Sequence, residues 1–169
     1  MIIFKPNTSS WVEIIIKKFN KNKVFNLTNL STVLFGSILL IISSKIKIDL
    51  YPVPMTLQPL AVLMIAMLYG RNLATATISV YILQGLIGLP VFAYGGGLMY
   101  IFGPTGGFII GFLISGIVLG ELADRGWGKR FITSIVCMLL GLLIIYFFGI
   151  LQLTLIKGFE YAILKGFYP

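Results

Sequence analysis

No histidine occurs in the 169 residues, and cysteine occurs once, at Cys137 inside an apolar run. The first absence removes the commonest metal ligand and the usual general base for a serine or cysteine nucleophile. The second leaves no disulfide framework and no thiolate cluster for zinc. Acidic side chains are nearly as scarce, and Glu13, Asp49, Glu121, Asp124 and Glu160 are the full set. All five fall between apolar runs or at their ends, so no carboxylate pair sits within a run to serve acid–base catalysis or a proton relay. A phosphate-binding loop is missing too, because neither Lys nor Ser/Thr follows Gly95-Gly-Gly97 at the required position. These absences argue against an enzyme, a metal and an organic cofactor. Charge itself is sparse: 11% of residues are charged, against about 25% in an ordinary soluble domain.

What is present is apolar sequence. Hydrophobic residues make up 58% of the chain and the mean hydropathy is +1.01, the composition of an integral membrane protein with the lipid bilayer as its solvent. Five apolar runs follow one another at residues 30–44, 53–69, 73–88, 105–122 and 131–151. Each approaches the roughly 20 residues that a helix needs to cross about 30 Å of hydrocarbon. Pro59 falls in the first turn of the second run, where its missing N–H costs little. None of the runs alternates strictly over about ten residues as a membrane strand would. The expected fold is therefore an all-α polytopic transmembrane bundle of five spans. Residues 152–169, with Lys157, Glu160 and Lys165, read as a tail and not as a sixth span.

Residues 1–29 read as a basic cytoplasmic arm and residues 30–169 as the membrane domain. The arm carries Lys5, Lys17, Lys18, Lys21 and Lys23 against Glu13. Its apolar patch at Ile14–Ile16 is too short for the core of a cleaved signal peptide. With the N-terminus in the cytoplasm, the inner segments hold those five lysines with Arg71, Arg125, Lys129 and Arg130. The outer segments hold only Lys45, Lys47, Lys157 and Lys165, so the excess of inner basic residues favours this orientation. The basic residues follow topology, and no continuous basic face suggests nucleic acid. In the fourth span Gly103, Gly107, Gly111 and Ser115 recur every four residues, with Gly116 and Gly120 on a neighbouring stripe. Such rows let helix backbones approach closely, here most simply within the chain.

Two turn-rich segments lie on the outer side, Tyr51-Pro-Val-Pro-Met-Thr-Leu-Gln58 and Gly88-Leu-Pro-Val-Phe-Ala-Tyr-Gly-Gly-Gly97. Irregular backbone at membrane depth persists only where it lines protein or a cavity. They therefore mark an outward-facing pocket. The polar groups in and near them are neutral, and with the aromatics they suit an uncharged polar ring. The candidate binding residues are Thr56, Gln58, Phe92, Tyr94, Gly95, Gly96, Gly97 and Thr105, with Tyr81 and Gln84. For those last two, in mid-span, helix-to-helix hydrogen bonding is the alternative.

Pro52-Val-Pro-Met-Thr-Leu-Gln58, Gly88-Leu-Pro-Val-Phe-Ala93 and Gly103-Pro-Thr-Gly-Gly-Phe108 resemble, in order and spacing, the signature blocks of the BioY family. That family is the biotin-specific substrate-binding (S) component of energy-coupling factor (ECF) transporters. The resemblance implies a six-helix membrane protein that binds biotin in an outward-facing pocket closed by the loop between the first two spans. It also implies partners: a transmembrane coupling protein and a pair of cytoplasmic ATPases. The family's sixth helix opens with a Pro-Gly-Asp-x-x-Lys type motif whose Asp and Lys belong to the biotin site. This sequence stops at Lys165-Gly-Phe-Tyr-Pro169, about where that motif would start, so the expectation is a five-span form lacking part of the site. Lys157 and Lys165 are the outer cations nearest the place of the absent lysine. The alternative reading is a non-transporting scaffold or remnant of the same fold.

Overall fold

The computed structural model describes residues 27–164, so most of the basic arm, and Lys165, lie outside the described residues. The first helix among the described residues, α1, spans Leu27–Lys45. A two-residue antiparallel ladder follows, with β1 (Lys47–Ile48) paired to β2 (Met55–Thr56) so that Lys47 faces Thr56 and Ile48 faces Met55. Next come α2 (Gln58–Leu86), the short α3 (Leu98–Ile101), α4 (Gly106–Asp124), a 3-10 turn (Trp127–Lys129), α5 (Phe131–Lys157) and the short α6 (Phe159–Ala162).

Four of these helices, α1, α2, α4 and α5, are long and apolar enough to cross a membrane. One of the four is two helices in series. In a straight helix Gln58 and Tyr81 would stand about 34 Å apart at 1.5 Å per residue. Instead Gln58 Nε2 lies 2.6 Å from Tyr81 Oη. The chain therefore folds back between them, and the one non-helical residue is Gly70, at φ 74° and ψ 178°. Glycine takes that conformation without the Cβ clash any other residue would meet. The two arms, residues 58–69 and 71–86, correspond to the second and third apolar runs of the sequence.

The helix boundaries differ from the runs for identifiable reasons. Residues 53–57 belong to β2 and its turns because a residue before proline is pushed out of the helical region, and Val53 precedes Pro54. Helix α2 thus begins at Gln58, with Pro59 in its first turn. At the other end of the chain α5 continues past residue 151 to Lys157, which lies in its last turn. A cation there complements the negative end of the helix dipole.

The rows of small residues pack the chain against itself. A Cβ on Gly107 would stand 2.2 Å from Phe148 O, and one on Gly111 would stand 2.8 Å from Ile145 Cα, both on α5. Gly120 meets α2 in the same way, with a Cβ falling 2.6 Å from Arg71 Cα. Helix α4 is therefore clamped between α2 and α5 at backbone contact. Gly107→Val should accordingly lower stability by about 1–3 kcal/mol, the usual range for overpacking against unyielding neighbours. Its unfolding midpoint in detergent, compared with the parent, measures this.

The two ends of the bundle are chemically distinct. At one end the apex of α2 is tied to the end of α4: Arg71 N donates to Asp124 Oδ2 at 3.0 Å and Arg71 Nη1 to Glu121 Oε2 at 3.1 Å. At the other end lie the β1–β2 ladder and the segment from residue 87 to residue 105, joined by Lys45 Nζ donating to Phe92 O at 2.6 Å. Five antiparallel passes thus bring both turn-rich segments to one end.

Candidate functional site

A cavity of about 100 Å³ opens at this second end. The β1–β2 connection covers it with Leu50, Val53, Pro54, Met55 and Thr56, and the first turn of α2 adds Gln58 and Pro59. Phe92, Ala93, Tyr100 and Thr105 come from the segment between α2 and α4. The floor is Phe108, Ile109 and Phe112 of α4 with Ile145 and Tyr146 of α5. None of these side chains is charged. An apolar and aromatic wall with a few neutral polar groups is the make-up of a small-molecule site.

Phe92 is the wall's anchor, and its place is fixed by backbone hydrogen bonds that are not part of any helix. Val91 O accepts from Ser44 Oγ at 2.7 Å and from Tyr81 Oη at 3.3 Å, while Phe92 O accepts from Lys45 Nζ. Phe92 N donates to Gly95 O at 2.8 Å, and Gly97 N donates to Gly85 O at 2.6 Å. The Phe92 ring, 1% exposed, stacks on Tyr100 with centroids 4.8 Å apart and meets Tyr81 edge-on at 5.5 Å. It fills the space beside Gly85, where any Cβ would strike it.

The cover is fastened from outside. Asp49 Oδ1 lies 2.8 Å from Lys47 Nζ and accepts from Tyr94 Oη at 2.8 Å, and Lys47 Nζ sits 3.5 Å from the Tyr94 ring centroid. Hydrogen bonding from Lys47, then from Tyr94, holds the Asp49 carboxyl below its ordinary value, while the same bond pushes the Tyr94 phenol up. A lowered carboxyl gives a fastening that is complete above the ordinary aspartate value and lost as pH falls through the lower folded one. We expect Asp49→Asn, which weakens both contacts to the carboxylate, to speed ligand release a few-fold, the size of an exposed ion pair. Release rates of the parent should stay level from pH 8 to pH 5, since the chain has no histidine. Stopped-flow displacement of a bound ligand reads both.

The sequence profile of the BioY family matches residues 18–169. A probable biotin transporter of Pyrococcus horikoshii is 38% identical over 130 residues, covering 76% of this chain and 75% of its own. The biotin transporter of Thermotoga maritima is 37% identical over 133 residues, covering 78% of each chain. The chain belongs to the BioY family. A solved structure, the S-component for biotin from an ECF-type ABC transporter, superposes with a TM-score of 0.77 at 23% identity over 88% of this chain and 84% of that one. That likeness is one of fold.

In this BioY-family chain four of the sequence-derived candidates, Thr56, Gln58, Phe92 and Thr105, line the cavity. Tyr81 does not; it is buried behind Gln58 and bonded to it. Gln84 accepts from Ser37 Oγ at 2.7 Å and serves as a contact between α2 and α1. Tyr94 is 54% exposed and fastens the cover. Gly95, Gly96 and Gly97 form the turn behind Phe92 and lie outside the lining; Gly96 runs against Leu89 O. Lys157 is exposed at the end of α5 and also outside the lining. The lining residues that were not among the candidates are Leu50, Val53, Pro54, Met55, Pro59, Ala93, Phe108, Ile109, Phe112 and Ile145, all apolar, with the phenols Tyr100 and Tyr146. Only Phe108 and Phe112, one helical turn apart, left a periodic trace.

Proposed function

We propose that this chain captures biotin at the outer face of the cytoplasmic membrane as the S component of an ECF-type importer. The single observation that supports this most is the cavity itself. It is lined without charge, carries Thr56, Gln58 and Thr105 among its neutral hydrogen-bonding groups, and lies under a fastened cover in a chain whose relatives are named biotin transporters. A Thr hydroxyl and a Gln amide offer both donors and acceptors to a ureido ring. The chain acts as a carrier, and the energy comes from a membrane coupling protein and a pair of cytoplasmic ATPases. Growth of a biotin auxotroph that lacks its own importer tests this. On limiting biotin, cells expressing the chain with the coupling protein and ATPases should grow, and cells without it should not; no rescue by correctly inserted protein contradicts the reading.

The cavity end faces outward in this proposal, with the N-terminus, Arg71 and the Arg125–Arg130 turn in the cytoplasm. Single cysteines in a Cys137→Ala background report it. Met99→Cys, at a position 80% exposed beside the cavity, should label from intact cells with a membrane-impermeant thiol reagent. Lys129→Cys should label only after lysis, and the reverse pattern would invert the topology.

A further inference from the structure

The amide of Gln58 has two faces, one a donor and one an acceptor, and the surrounding bonds decide which of them the cavity receives. The deciding atom is Val91 O, which can only accept. It lies 3.3 Å from Tyr81 Oη, and Tyr81 has a single hydroxyl proton. With that proton directed at Val91 O, the phenol oxygen is left as an acceptor, 2.6 Å from the Gln58 side chain. Of the two ends of the amide, only the NH2 can donate to it. The reversed amide would require Tyr81 to donate to Gln58 instead, and would leave Val91 O to Ser44 Oγ alone, which has a single proton and also lies 2.7 Å from Ile41 O, at a site where Tyr81 is 1% and Gln58 6% exposed. The structure sets Nε2 against Tyr81, and Oε1 is left as the half of the amide that can serve the cavity Gln58 lines.

We infer that Tyr81 is a positioning residue that fixes the donor–acceptor sense of Gln58, so that the cavity offers a carbonyl acceptor to a ring N–H of its ligand. The inference rests on the biotin reading for the identity of that ring: a cyclic urea has N–H groups to give, whereas a ring carrying oxygen or an alkylated nitrogen at that place has none. A site built around a buried acceptor discriminates strongly against a ligand that leaves it unpaired. Tyr81 itself does not line the cavity, so its contribution passes through Gln58.

Biotin affinity of the full chain, measured by titration calorimetry for the parent, Tyr81→Phe, Gln58→Ala and the double variant, tests the relay. Phenylalanine keeps the ring that packs on Phe92 and removes only the hydroxyl. We expect Tyr81→Phe to weaken binding about tenfold, the loss of one oriented hydrogen bond. In the double variant the Tyr81 change should add nothing to the loss from Gln58→Ala, because the two act as one unit. Losses that multiply would mean that Tyr81 acts through packing alone, and would overturn the inference. A ligand-free arm separates this from the biotin reading. The chain contains three glutamines, Gln58, Gln84 and Gln152, and the 15N-labelled side-chain amides are resolved by NMR of the detergent-solubilised protein. Tyr81→Phe should shift the Gln58 NH2 pair and leave that of Gln152 in place. A parent chain that binds no biotin refutes the biotin reading alone, and the NMR arm then decides the relay: an unchanged Gln58 pair overturns it.

Discussion

Phe92→Ala is expected to lower the unfolding free energy by about 3–5 kcal/mol and to abolish measurable biotin capture. The magnitude is that of removing a fully buried aromatic ring from a packed interior. The ring stacks on Tyr100, meets Tyr81 edge-on and abuts Gly85, so its removal leaves a void between α2 and α3 that none of the three can fill from fixed helices. It also removes a wall of the cavity. Chemical denaturation in detergent reads the stability change and calorimetry reads the binding. Phe92→Leu separates the two, because it retains most of the buried volume. It should recover much of the stability while still losing the flat face against which a ring can lie.

The second large effect is expected from Gln58→Ala. Its side chain is 6% exposed, is the neutral polar group of the first turn of α2, and is tied to Tyr81. Truncating it leaves a ligand donor buried without a partner and strips Tyr81 Oη of its donor. The cost should be about 1–3 kcal/mol of binding free energy, or roughly fivefold to 150-fold in affinity. The variant should remain folded, since the helix start is secured by Pro59 and by the backbone. A parent-like affinity would remove Gln58 from the site and leave it as a partner of Tyr81 only.

Much of this molecule could be read from its sequence because the bilayer restricts the choices. Scarce charge, long apolar runs and the basic residues between them led to a helical bundle, and Arg71 marked the break between two runs that the backbone joins through a single residue, Gly70. The three Pro- and Gly-rich blocks pointed to the end of the bundle where the cavity lies, because turns at membrane depth need a protein lining. The apolar wall was not legible. In a soluble chain an apolar position signals burial, but here Ile145 and Tyr146 in the cavity and Leu143 on the exposed surface of the bundle occupy one uninterrupted run and carry the same signal. Long-range pairings were equally hidden. Nothing near Tyr94 in the sequence indicates that Asp49 will receive its hydroxyl, and nothing near Gln84 indicates Ser37. Tyr94, a candidate for the cavity, is bonded to Asp49, and Gln84 makes the helix-to-helix hydrogen bond that is its alternative.

The central claim is that the covered cavity holds biotin, and equilibrium binding of radiolabelled biotin to the purified chain tests it most directly. The account predicts saturable binding at one site per chain, displaced by unlabelled biotin, weakened in Gln58→Ala and absent in Phe92→Ala. A folded, monodisperse chain that shows no saturable binding would contradict it, as would binding that both substitutions leave unchanged.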